Sequence, residues 1–179
     1  MRDAVAPSGL VRYSSLLQDV ELRELARQSV AQVPHVDAKK LATHDDKLAF
    51  WINAYNAFAL VNAAAAYDND DAFRPDQDGF VFFDAPFTVG GVELSLNLIE
   101  QGVLRGNLQH PSTGGLSEER WAVVEALHDD LWQDAAFDPR FHFVLNCARR
   151  AVRDYPHLPW QEPLSSPTLE SHYPMCSTS

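Results

Sequence analysis

Residues from about 19 to 33 repeat apolar side chains every three or four positions, the spacing of an amphipathic helix, and the pattern stops before Pro34. A second, mostly apolar stretch follows Thr43, whose Thr-x-x-Asp spacing to Asp46 is typical of a helix start. It runs from about His44 to Tyr67. The pattern therefore predicts two consecutive helices, of which the second is much the longer.

The long helix carries no charged residue between positions 48 and 66, a length that could nearly span a bilayer. However, Asn53, Asn56 and Asn62 would be costly in hydrocarbon, and the flanking residues are acidic instead of asymmetrically basic. We therefore interpret this stretch as the central helix of a globular domain and expect no transmembrane segment.

Strand and turn signals follow in the middle of the chain. Residues 80–83 form an apolar run of strand length. Residues 87–89 and 92–94 flank Gly90-Gly91, a two-residue hairpin signal. These segments predict a small antiparallel sheet.

Two further helices are predicted after the hairpin. Ser95 can cap the first and Gly106 can end it. The second begins after Ser117 and runs to about Trp132. The inward face of the first is predicted to carry Leu96, Ile99, Val103 and Leu104.

After the Asp138-Pro139 turn, residues 141–147 alternate apolar and polar in a β pattern. The fold class predicted from all these elements is α+β: a long central helix packed with other helices on a small, mainly antiparallel sheet. We expect one globular domain over residues 9–158, a loose N-terminus over 1–8, and a loosely ordered Pro/Ser-rich tail over 159–179.

Composition narrows the classes of function. The 179 residues are 46% hydrophobic and carry a formal net charge of −11, so the chain is globular and would repel a nucleic-acid backbone. The two cysteines form neither a disulfide framework nor a zinc motif, and no secretory signal stands at the N-terminus. We expect a cytoplasmic protein without nucleic acid, metal or cofactor, since nucleotide-binding loops and metal-ligand spacings are also missing.

The first candidate chemistry is a polar set on the long helix. Asn53 and Asn56 lie on neighbouring positions of one face, and Tyr55 adds a polar tip on an apolar body. These side chains could line a substrate pocket. Alternatively, they tie the helix to a neighbouring loop, because buried polar groups usually bond to backbone.

The second candidate set lies in the predicted strand. Cys147 is a possible nucleophile, but His142 stands five residues away on the opposite face, about 16 Å along a strand. The base would then come from another element, and five histidines are open: His35, His44, His110, His128 and His157. Cys147 as a small buried residue, and His142 as a core residue bonded to backbone, are the alternatives. Arg140 and Asn146 share the strand face of His142 and could complete a polar row with it.

The third candidate is Glu100, a carboxylate on an apolar helix beside the hairpin. It could act as a general base or orienting group. Arg105 follows five residues later, which is not a shared face of an ideal α-helix, so each group is expected to find a partner elsewhere. A buried ion pair of Glu100 with Arg140 or Arg105 is the structural alternative.

Several motifs in register resemble domain-of-unknown-function family 547. They are Gly9-Leu10-Val11-Arg12-Tyr13, Ala49-Phe50-Trp51-Ile52-Asn53-Ala54-Tyr55-Asn56-Ala57, Leu94-Ser95-Leu96-Asn97-Leu98-Ile99-Glu100 with Leu104-Arg105, and Asp138-Pro139-Arg140-Phe141-His142-Phe143-Val144-Leu145-Asn146-Cys147. The family implies no established activity. Its pattern usually continues into Ser-Cys-Pro, where this chain has Ala151, Val152 and Arg153, so the second thiol is missing and any thiol chemistry falls to Cys147.

The resulting hypothesis is a polar pocket, hydrolase- or transferase-like, that takes an unknown small molecule or protein. Its catalytic candidates are Cys147, His142 and Glu100, and its substrate-binding candidates are Asn53, Asn56, Tyr55, Arg105, Arg140 and Asn146. The alternative is a non-catalytic interaction or scaffold module, with the basic residues 149–153 as a possible contact surface.

Overall fold

A computed structural model describes residues 18–69, 79–107, 109 and 116–146. Several predictions fall outside these ranges: the 9–13 motif, Cys147, the basic residues 149–153, the Ser-Cys-Pro positions and both termini. The candidate bases His110 and His157 also fall outside them. The remaining predicted elements can be compared directly with the structure.

The two predicted N-terminal helices are confirmed. Helix α1 spans Val20–Gln32, and short 3-10 helices follow at Val33–His35 and Ala38–Lys40. Helix α2 spans His44–Asn69 and begins with a reciprocal cap: the Asp46 backbone N–H donates to Thr43 Oγ1 (3.1 Å), and Thr43 Oγ1 donates to Asp46 Oδ2 (2.7 Å). These bonds satisfy polar groups that the first helical turn would otherwise leave unpaired.

The predicted hairpin is also confirmed. Strands β1 (Phe87–Val89) and β2 (Val92–Leu94) pair antiparallel, with Phe87 opposite Leu94. Gly90 and Gly91 have φ values of +55° and +81°, as the tight turn between twisted strands requires. The hairpin packs on α2 through Phe87, whose ring stacks on Phe58 with centroids 3.7 Å apart.

Two predicted strands are wrong. Residues 80–83 belong to helix α3, Gly79–Asp84, and the residues after Asp138 form a 3-10 helix, Pro139–Phe143. A short apolar run does not by itself distinguish a strand from a buried helical turn. In the second case, Pro139 opens the 3-10 helix and the Asp138 carboxylate accepts the Arg140 N–H (3.0 Å), so local capping decides the conformation. The sheet within the described ranges therefore has two strands, and the α+β class is retained.

The helix predicted after Ser95 is a π-helix, Leu98–Leu104, in which the backbone bonds span five residues. As predicted, Ser95 caps the α-helical turn at residues 96–97 that leads into the π-helix, because its Oγ accepts the Leu98 N–H (3.2 Å), and Gly106 follows the helix end at a φ of +63°. All seven of its residues are buried. The four predicted inward residues are all fully buried: Leu96, Ile99, Val103 and Leu104.

The last described α-helix, α4, spans Glu118–Trp132 and is capped by the predicted Ser117. It packs closely along the π-helix. The contact is tightest at Gly102, where an added Cβ would lie 2.3 Å from Val124 Cγ1. The core therefore contains residues from α2, α3, the hairpin, the π-helix and α4. The lack of a side chain at Gly102 allows the π-helix and α4 to approach each other closely.

Helix α2 also meets the length and composition of a membrane span over His44–Ala66, where the mean hydropathy is 1.2. A third of that window is buried inside the protein. The core helix of a soluble protein meets the same criteria, and several α2 side chains do belong to the core, including Trp51, Ala54, Tyr55, Ala59 and Ala63.

The glycine contact gives a testable prediction. Gly102→Ala should lower the free energy of unfolding by about 2 kcal/mol, because Val124 is branched at Cβ and cannot move aside cheaply. The same substitution on a Val124→Ala background should cost much less, since the Val124 Cβ lies at an ordinary 3.8 Å. Urea denaturation of the four proteins measures the coupling, and additive effects would contradict the proposed contact.

Candidate functional site

The carboxylate of Glu100 lies at the centre of a polar cluster that also contains Tyr55, Arg105 and His142. Glu100, on the π-helix, is 2% exposed. Its Oε2 accepts a hydrogen bond from the hydroxyl of Tyr55 on α2 (3.2 Å), and Tyr55 is fully buried. A carboxylate at this depth needs such partners, because burial otherwise disfavours its charged form.

The second partner of Glu100 is Arg105, whose Nη2 lies 3.0 Å from Glu100 Oε1. The expectation that residues five apart would not meet is wrong, because it assumed an ideal α-helix. In the π-helix, residues five apart are joined by backbone bonds, and the Arg105 N–H donates to the Glu100 carbonyl (3.1 Å). Of the alternatives for Glu100, the structure contains the ion pair with Arg105.

The cluster extends from Arg105 to His142. Arg105 Nη2 lies 3.0 Å from His142 Nδ1. A guanidinium has only donors, so Nδ1 must accept, and the ring proton of the neutral imidazole then lies on Nε2. Burial lowers the pKa of His142, and the positive charge of Arg105 lowers it further. The imidazole is therefore held neutral and in one tautomer. It lies at the end of a line of polar contacts that runs from Tyr55 through Glu100 and Arg105.

Arg140 lies outside this cluster. Its side chain is 85% exposed and pairs with Asp138, lowering the pKa of that carboxyl to about 2. The predicted polar row of Arg140, His142 and Asn146 assumed a strand. The 3-10 helix removes the alternation on which that row depended.

Asn56 and Asn53 have different environments although they are three residues apart. Asn56 Nδ2 donates to the Val144 carbonyl (2.9 Å), and its Oδ1 accepts the Asn146 backbone N–H (2.7 Å). Asn53 is exposed. Asn56 thus anchors the segment that follows His142, which matches the loop-tying alternative raised for this helix face.

The other described histidines are placed as follows. His44 Nδ1 bonds to the Leu131 carbonyl (2.9 Å), and His128 Nδ1 bonds to the Val103 carbonyl (2.9 Å). His35 is exposed. His142 is therefore the histidine that belongs to the Glu100 cluster among those the structure describes.

Sequence reasoning did not single out Gln101, although it follows Glu100 in a buried, otherwise apolar helix. Its side chain is fully buried, and both amide atoms lack a hydrogen-bond partner. Arg105 Nε is likewise unpaired. The signal was available, because an amide next to a carboxylate in an apolar run is as costly to bury as the asparagines of α2.

A cavity of about 450 Å³ lies elsewhere in the fold, between the Ala38–Lys40 turn, the hairpin, α2 and α4. None of the predicted site residues that the structure describes lines it. Within the described ranges, no group of three His, Cys, Asp or Glu side chains could hold a metal ion.

The Asn56 bonds lead to a second prediction. Asn56→Ala should reduce the free energy of unfolding by about 2 kcal/mol, because two hydrogen bonds to the 144–146 backbone are lost. Asn53→Ala is the matched control on the same helix and should change it by less than about 0.5 kcal/mol. Urea denaturation distinguishes the two, and equal effects would mean that Asn56 does not anchor this segment.

A third prediction concerns pH. The folded pKa of His142 lies below its ordinary value of 6.5, so the unfolded chain binds this proton more readily. Its titration makes no contribution to the pH dependence of stability well above pH 6.5, and it lowers stability as the pH falls through 6.5 toward the folded pKa. Compared with His142→Gln, the wild-type protein should lose more stability between pH 7.5 and 5. The exposed His35→Gln variant is the control, and parallel wild-type and His142→Gln curves would contradict the assignment.

Comparison with known proteins identifies the family of the chain but does not identify an activity. Searches of curated proteins and of solved structures found no match. The family model described as "Protein of unknown function, DUF547" matches residues 39–154, well over half of the chain. That range contains Tyr55, Glu100, Arg105 and His142, and the predicted family assignment is confirmed. The chain is a member of the DUF547 family.

Proposed function

We propose that this DUF547 domain carries a hydrolase- or transferase-like site for an acyl compound, centred on His142. The observation that carries the proposal is the 3.0 Å contact between Arg105 Nη2 and His142 Nδ1. Buried ion pairs can be purely structural, but this one ends on a half-buried imidazole with one defined tautomer. An oriented donor of this kind is suited to chemistry at a carbonyl group.

In this proposal His142 acts as a neutral hydrogen-bond donor and not as a general base. Accepting a proton would place a second positive charge beside Arg105, which the lowered pKa already disfavours. The Nε2–H can instead donate to a carbonyl oxygen and stabilise the negative charge that develops there, as neutral imidazoles do in other enzymes. Glu100 and Tyr55 act through Arg105 as positioning residues.

The proposed nucleophile is Cys147, the residue after Asn146. Asn56 holds the backbone on both sides of Leu145, so the chain enters position 147 from an anchored segment. A thiolate at this position would attack the acyl carbon of a thioester, ester or amide and expel the leaving group. Water or a second acceptor would then take the acyl group from sulfur.

The second candidate is a non-catalytic interaction module. It is favoured by the apolar surface beside His142, where Phe143 is 79% exposed, Val144 53% and Phe137 49%. Neighbouring exposed apolar residues are typical of contact surfaces. In this case the polar cluster would only support the shape of the surface.

Both candidates imply a small molecule or a protein as partner, because a net charge of −11 disfavours nucleic acid. We infer that α2 serves as a core helix and not as a membrane span, since Tyr55 and Asn62 make polar contacts to other elements. A cytoplasmic setting, where the two cysteines stay reduced, suits the proposed thiol chemistry.

The pH dependence of iodoacetamide alkylation at Cys147 tests the proposal. It is measured on folded protein carrying Cys176→Ser. We expect fast labelling with a thiol pKa well below the ordinary value of about 8.5, because in the proposed site the Nε2–H of His142 and the Arg105 guanidinium would stabilise a thiolate. His142→Gln should raise that pKa, while the exposed His35→Gln should leave it unchanged.

Two results would overturn the enzyme proposal. Labelling that occurs only after unfolding would show that the thiol is inaccessible. Labelling of the folded protein with an ordinary thiol pKa would show that the thiol is not activated. In either case the interaction module becomes the better description, and the apolar surface at Phe143 becomes the place to search for a partner.

A further inference from the structure

The 450 Å³ cavity has the size of a small-molecule site, for which about 300 to 1,000 Å³ is usual. Its walls come from four elements that are far apart in sequence. Most of its lining is aliphatic or aromatic: Ala38, Trp51, Val89, Val92, Val123 and Leu127. It shares no described residue with the proposed acyl site, so the two can be tested separately.

Lys39 is a charged residue at the cavity whose charge is not balanced by an ion pair within the described part of the chain. Asp37 and Lys39 both line the cavity. The Asp37 carboxylate is already occupied, because it pairs with Lys40 (3.3 Å) and accepts the Lys39 backbone N–H (3.2 Å). Lys39 is exposed and has no ion pair within the described part of the chain. The cavity thus combines an apolar wall with one uncompensated positive charge in a strongly acidic protein.

Trp51 adds a second feature. It is 2% exposed and makes an edge contact with Phe50. Its indole ring lines the cavity and adds a flat, largely apolar surface to the wall.

We propose that this cavity binds an amphiphilic monoanion with an unbranched alkyl chain and a carboxylate head, the chemistry of a medium-chain fatty acid. The alkyl chain would lie against the Val and Leu side chains, where its burial is favourable and needs no polar partner. The carboxylate would meet the Lys39 ammonium at the rim. This charge complementarity distinguishes the proposed ligand from a neutral alcohol or an alkylamine.

The test is isothermal titration of the full chain with decanoate, below the concentration at which it forms micelles. We expect saturable one-to-one binding. Across octanoate, decanoate and dodecanoate, the affinity should rise by up to about fourfold per added methylene while the cavity still has room. The neutral alcohol 1-decanol should bind more weakly than decanoate.

Two pairs of variants locate the site. Lys39→Gln should weaken decanoate binding several-fold and leave the affinity for 1-decanol unchanged. Arg23→Gln is the control, because it removes an equal charge from an exposed position on α1 and should not change the affinity for either ligand. Ala126→Phe, at an exposed position that lines the cavity, should abolish binding of both ligands. Ala49→Phe is its control, since Ala49 is exposed on α2 and does not line the cavity.

The proposal is overturned if wild-type protein shows no saturable decanoate binding, or if Ala126→Phe binds as the wild type does. Equal affinity for decanoate and 1-decanol, or no effect of Lys39→Gln, would overturn the assignment of an anionic ligand. Thermal unfolding of each variant verifies that it is folded before titration. None of these outcomes depends on Cys147 or His142.

Discussion

The burial of the Glu100 carboxylate is the constraint on which the centre of this structure depends. A charge that is 2% exposed is tolerated only when neighbouring groups replace the water it has lost. Tyr55 does so from α2, and Arg105 does so from the same π-helix. Removing one partner would leave the others uncompensated, so the relative placement of α2 and the π-helix is specified by polar contacts as well as by packing.

The π-helix follows from the same requirement. Arg105 stands five residues after Glu100, a spacing that an α-helix would not place on one face. A backbone with bonds five residues apart brings the two side chains into contact. It also forms a tight surface at Gly102, where α4 approaches with Val124. Sites with π-helical backbone are frequently functional. Here the π-helical backbone places the Arg105 guanidinium in contact with both Glu100 and His142.

The elements predicted correctly from the sequence are mainly those whose ends carry capping side chains or turn glycines. Thr43, Ser95 and Ser117 each supply a side-chain cap, and Gly90-Gly91 supplies the positive φ values of a hairpin turn. The predictions for residues 80–83 and 141–147 were wrong because they rested on apolar pattern alone. Phe82 and Phe83 are both buried in a short helix, so a continuous apolar run could not distinguish it from a strand.

Sequence analysis listed several residues that the structure brings together, but it did not predict most of their contacts. Tyr55, Glu100, Arg105 and His142 were all listed as candidate site residues, and the structure brings them into one line of contacts. The Glu100–Arg105 pair was one of the alternatives raised from the sequence, whereas the contacts of Tyr55 with Glu100 and of Arg105 with His142 were not predicted. They depend on a π-helix and on a 3-10 turn that the local sequence does not indicate. Asn53 and Asn56 show the same limit: both are asparagines on one helix, and only Asn56 meets another segment.

Helix α2 links this cluster to the apolar cavity. Trp51 and Tyr55 are four residues apart and therefore lie on one face, about 6 Å from each other along the helix axis. Trp51 lines the cavity, while Tyr55 holds Glu100. Because Ala54 and Ala59 bury the same helix against the core, α2 has little room to shift at one of these positions without shifting at the other. The part of the cavity wall formed by Trp51 and the hydrogen bond from Tyr55 to Glu100 are thus coupled through one rigid element.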